Sequence, residues 1–161
     1  MNRLLLLLIF VPAFGLAQQR TVLDSLKALL PATRVDTSRI NLLNNISDIL
    51  KRDKASDGLK YVQEAIELSS KINFKKGLAT AYYNRGVMLL STNKIDSASI
   101  DFQKAIKVYG ELKYLRGQAL VYNEIGTLLR IQGKQSEAIS YFQQAADIYE
   151  KLNDLSGTLI A

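Results

Sequence analysis

At 161 residues, with no cysteine, histidine or tryptophan, the chain is long enough for one packed domain and has neither a disulfide framework nor a thiolate or imidazole metal site. The same absences remove the commonest general base and the thiol nucleophile, so no enzyme, catalytic residue, cofactor or metal is expected. The net charge of +6 raises nucleic acid or an anionic membrane as partners, but Lys and Arg alternate with Asp and Glu along the chain, the pattern of a solvated surface rather than a binding stripe.

The first stretch, MNRLLLLLIFVPAFGLA, has one basic residue (Arg3), an apolar run from Leu4 to Leu16, and small residues at Gly15 and Ala17. That order is a secretory signal peptide over residues 1–17, with cleavage expected after Ala17 and a periplasmic or secreted product. The run is shorter than the roughly 20 residues of a membrane helix and is interrupted by Pro12. No other stretch is long and apolar enough to span, and without a cysteine there is no lipoprotein anchor. Residues 18–36 follow as a short amphipathic helix, with Val22, Leu23, Leu26, Leu29 and Leu30 on its apolar side, and a linker holding Pro31.

From residue 37 the chain repeats itself at an offset of forty residues. Leu42, Tyr82 and Tyr122 coincide, as do Ile49, Leu89 and Leu129; Val62, Phe102 and Phe142; Ala65, Ala105 and Ala145; and Gly77, Gly117 and Gly157. Within a unit the apolar spacing is helical, for instance Tyr82, Gly86, Leu89 and then Ala98, Phe102, Ala105, Tyr109. Polar turn stretches, STNKIDS and IQGKQS, divide the two runs. Each unit is therefore expected to be a pair of antiparallel helices, with units at about 37–76, 77–116 and 117–156 stacked into an all-α solenoid.

The repeat resembles the tetratricopeptide repeat. The third unit has Tyr122, Ile125-Gly126 and Leu129, then Ala138, Phe142 and Ala145; the second has Tyr82, Arg85-Gly86, Leu89, Ala98, Phe102 and Ala105. In the first, Ile46 stands in the Gly column and Gly58 in the Ala column, a swap of large for small expected to sit across one contact. The resemblance implies a right-handed α-solenoid in which the Gly of each first helix faces the Ala of the second. The usual unit has about 34 residues; here the extra ones are expected after Ala105, in the second helix and the following linker. The long unit is similar to repeats of kinesin light chains and bacterial peptide-responsive regulators. The exported opening is similar to the periplasmic sensor regions of bacterial histidine kinases and helix-turn-helix regulators.

With no chemistry evident, binding remains, and the resemblance implies a peptide or protein ligand in a concave groove lined by the first helices. If Leu42, Tyr82 and Tyr122 point inward, the opposite stripe is free to line that groove: Leu43, Ser47 and Leu50; Tyr83, Val87 and Leu90; Asn123, Thr127 and Arg130. Beside it runs the column Asn44, Asn84 and Glu124. Asn is a poor mid-helix residue, so these amides either pair with an extended peptide, or are merely exposed, or bridge adjacent repeats. The carboxylate clamp of chaperone-binding relatives needs basic residues where Leu120 and Glu124 stand, so that ligand class is not expected. The reading is a binding module, either the sensor or scaffold part of a larger signalling protein or a freestanding adaptor. At the far end, Gly157-Thr158-Leu159-Ile160-Ala161 aligns with the start of the earlier units. A truncated fourth unit is thus expected from 157, leaving an uncapped end prone to self-association.

Overall fold

The forty-residue period is two helices of 17 residues and two turns of three, repeated with little variation. The structure, a computed structural model, describes residue 18 and residues 20–152. The expected signal peptide with its cleavage site, and the expected fourth unit with Gly157, lie outside the described residues. Residues 20–29 form helix α1, which tightens into a 3-10 turn at Leu30–Ala32. Six longer helices follow: α2 (Thr37–Leu50), α3 (Ala55–Lys71), α4 (Lys75–Ser91), α5 (Ile95–Glu111), α6 (Leu115–Ile131) and α7 (Gln135–Lys151). Each packs against the next in sequence, so α2–α3, α4–α5 and α6–α7 are the three helix pairs of an all-α solenoid.

The turns explain why the pairs are so uniform. At the ends of α3, α4, α5 and α6 one residue adopts the left-handed conformation: Asn73, Asn93, Lys113 and Gly133. The N–H that follows it reaches back to the fifth residue before, Phe74 to Ser69 O at 2.8 Å and Lys94 to Leu89 O at 2.8 Å, with Tyr114 to Tyr109 O and Lys134 to Leu129 O at 2.9 Å. This is the Schellman arrangement, which satisfies the free carbonyls of a helix end and reverses the chain in three residues. The expected lengthening of the linker is therefore absent. After Ala105 the helix continues to Glu111, and a three-residue turn leads directly into α6.

The glycines settle a second expectation differently. A Cβ on Gly86 would come within 2.5 Å of the Phe102 ring, and one on Gly126 within 2.7 Å of the Phe142 ring. In α4 and α6 the glycine thus makes room for the aromatic four residues beyond the aligned alanine, because a ring this close to the helix backbone leaves no space for a methyl group. Around Ile46 and Gly58 of the first unit the nearest neighbours are different residues. Gly58 is closed by the Met88 side chain of α4 and by Leu50, whereas Ile46 packs with Leu23, Leu42 and Leu50 against α1.

Helix α1 covers the first unit. Leu23, Leu26 and Leu30 pack into the Leu42–Ile46–Leu50 cluster, while Val22 and Leu29 stay exposed. Arg39 fixes the junction, donating to Leu30 O at 2.7 Å and pairing with Glu64. Helix α2 begins where the Asp36 carboxylate accepts the Ser38 N–H at 2.8 Å, an N-cap that supplies one of the four unpaired N–H groups. The central core lies between α4, α5 and α6, around Tyr83, Val87, Phe102, Ala105, Tyr109 and Val121.

Candidate functional site

First helices touch first helices, α2 against α4 and α4 against α6, but among the described residues the second helices α3, α5 and α7 do not touch one another. The stack therefore curves with the first helices on its inner face. This close approach overturns the expectation of a free stripe opposite Tyr82 and Tyr122. Those two tyrosines are only half-buried, whereas Asn44, Ser47, Tyr83, Asn84, Val87, Asn123 and Glu124 are all buried, Thr127 is half-buried and Arg130 is exposed. A side chain on the inner face has the neighbouring first helix over it, and this decides its burial.

The forty-spaced column shows what that packing requires. The Asn44 amide N–H donates to Gly77 O of α4 at 3.0 Å, and the Asn84 amide N–H donates back to Asn44 O of α2 at 3.1 Å. Asn44 and Asn84 are buried rather than exposed, and their N–H groups serve the bridge between repeats. Their carboxamide oxygens, with that of Asn123 and the Ser47 hydroxyl, are buried and form no hydrogen bond among the described residues. The third position of the column holds Glu124, which has no N–H to give. Its carboxylate instead accepts from the Arg52 guanidinium at 2.5 Å, an ion pair that runs from α6 across α4 to the turn between α2 and α3.

Around this pair the inner face becomes a small charged cluster. Arg52 is next to Lys51, whose ammonium sits 4.6 Å from the centre of the Tyr83 ring and also pairs with Asp48. Burial, followed by the Glu124 charge, pushes the Tyr83 hydroxyl well above the usual phenol range, with Arg52 pulling the other way. Tyr83 thus stays a neutral hydroxyl beside two carboxylates and two cations. Thr127 turns its hydroxyl back to Asn123 O at 3.0 Å, and Val87 belongs to the central core beneath. Arg130 lies in the last turn of α6 and is exposed.

The expected residues brought together are therefore Tyr83 and Glu124, on a base of Asn44 and Asn84. Sequence reasoning missed Asp48, Lys51 and Arg52, because the run Lys51-Arg52-Asp53-Lys54 reads as a solvated corner. One signal was available. This turn has four residues where the others have three, and Arg52 stands where the later units carry Thr92 and Gln132.

Residues 50–158 match the family described as soluble NSF attachment protein, SNAP. Among solved structures, BtubC (BKLC) from P. vanneervenii is similar in fold, with a TM-score of 0.63 and 15% identity over 86% of this chain and 57% of that one. The present chain thus spans little more than half the length of that structure. No curated protein matches the sequence. The family match takes in the end of α2 and all of α3 to α7, well over half of the sequence, and its fold is the tetratricopeptide-like stack of helix pairs described above. The chain belongs to the family of soluble NSF attachment proteins.

Proposed function

We propose that this chain is an exported protein-binding module whose inner face receives a peptide or protein segment, and that it serves as the sensor or scaffold part of a larger bacterial signalling protein. The observation that carries the binding reading is the cluster of Asp48, Lys51, Arg52, Tyr83 and Glu124, drawn from three helices and a turn onto the inner face. A helical-repeat stack presents one continuous surface to a partner, and the family's name describes attachment to another protein. The signal-peptide pattern supports export. Long repeats behind an exported leader support a sensor, and the absence of histidine and cysteine supports a role without catalysis.

A peptide library selected against residues 18–161, with binders mapped by NMR chemical shifts, tests the binding reading. Binders should perturb Tyr83, Thr127 and Arg130, leaving Ile100 and Ile139 on the outer face unmoved. Binders that map only to the outer face would overturn it. Export is tested by intact mass, since the exported protein should begin at Gln18.

A second reading, self-association through α7, is favoured by one observation. Ile139 is 67% exposed and Phe142 half-buried, whereas its counterpart Phe102 is fully buried. Sedimentation across a concentration series should then show a mass rising with concentration, and Ile139→Lys should abolish the rise.

A further inference from the structure

We infer that Glu124 is the recognition carboxylate for an arginine side chain of the bound segment, and that Arg52 is an intramolecular occupant which the arriving guanidinium displaces. The inference rests on the inner face being the binding surface. The first reason is the asymmetry of the pair. The Glu124 side chain is 6% exposed and that of Arg52 62% exposed. An exposed guanidinium on a turn moves into water at little cost, but a buried carboxylate left behind needs another cation at once. The pair is therefore open to exchange from one side only, and what replaces Arg52 must be positively charged.

The second reason is the balance of donors and acceptors. A carboxylate offers only acceptors, and that of Glu124 is met by the Arg52 guanidinium. A guanidinium, with five N–H donors in a planar fork and no acceptor, is the side chain that complements such a group. Third, the site already holds cations of its own, since Lys51 lies over the Tyr83 ring while Arg52 occupies Glu124. Fourth, the column needs no charge for its bridging role, which Asn44 and Asn84 perform with neutral amides. A buried carboxylate adds little net stability, so its presence at the third position points to recognition.

The test uses acetyl-Gly-Arg-Gly-amide as probe, with the citrulline and glutamate counterparts, titrated into residues 18–161 by NMR. Arg52→Ala should tighten the arginine probe by about tenfold, the order of one desolvated charge contact. Adding Glu124→Gln should abolish that gain, and the citrulline probe should show none. Arg52→Gln serves as a second variant if Arg52→Ala melts early. Tightening of the glutamate probe in place of the arginine one, or no effect of Arg52→Ala, would overturn the inference. Library-selected peptides separate the two levels: charge-blind binding on the inner face sinks the arginine assignment alone, and no binding there sinks the groove as well.

Discussion

The second and third units have the same plan, yet they bury it differently. Phe102 of α5 and Phe142 of α7 both lie against the glycine of their own first helix, but Phe102 is fully buried and Phe142 is half-buried. Helix α5 packs between α4 and α6, whereas α7 has only α6 beside it among the described residues. The pairing across each unit differs too. Arg85 holds Asp101 through two hydrogen bonds of 2.6 and 2.9 Å, where the third unit has Ile125 and Tyr141, the latter in tilted ring contact with Tyr122. In a solenoid, a residue's contribution is set as much by the next unit as by its own.

The sharpest way to break that comparison is to truncate both rings. Phe102→Ala should cost about 3–5 kcal/mol, and Phe142→Ala about half of that, since less area leaves water on folding. Equal losses in chemical denaturation would mean that α7 is as well covered as α5. Next in size is the ion pair. The Asp101 side chain is 3% exposed, so Arg85→Leu strands a buried carboxylate and should cost about 3 kcal/mol. Grafting the third unit's residues, Arg85→Ile with Asp101→Tyr, should recover most of the loss. A cost below about 1 kcal/mol for the single variant would show a surface-type pair.

Alkaline pH sharpens the picture of the second unit. Burial pushes the Tyr109 hydroxyl up to about 12, although its hydrogen bond with Thr80 pulls the other way. The unfolded chain releases this proton from about pH 10, so the stability is complete below pH 10 and falls as pH rises toward 12. The slope is about 1.4 kcal/mol per pH unit for this group. Urea midpoints measured from pH 9 to 12 should decline, and Tyr109→Phe should flatten its share of the decline. The smallest effects lie in the turns. Gly133 has a φ of +78° and open space around it, so Gly133→Ala should cost about 1 kcal/mol from backbone strain alone. Lys113 holds the same conformation without being glycine, and Lys113→Gly should raise the melting temperature. A fall would show that the Lys113 side chain does more than close a turn.

The helix pairs were legible because their signals are local: aromatic and alanine columns at helical spacing, with Asn93 and Gly133 at the turns. The role of the glycines was less so. Sequence offset pairs Gly86 with Ala98 by analogy, but only packing shows the Phe102 ring as the nearest neighbour. The candidate site was half legible. Its column of Asn44, Asn84 and Glu124 stands out in the repeat, whereas Arg52 lies 72 residues from Glu124, at a position where the later units carry the uncharged Thr92 and Gln132. No periodicity links two such residues. Curvature brings them together.

The amino-acid sequence by itself determined the all-α class, the forty-residue unit and the places where the chain reverses, because these depend on contacts within about one turn of helix or one pair of helices. Tertiary structure decided which face of each first helix is accessible. That face is set by how closely α2, α4 and α6 approach one another, a distance between units that no single unit encodes. It buried Tyr83 and Asn84, left Tyr82 half-open, and joined Glu124 to Arg52, because a curved stack crowds its inner side and spreads its outer one.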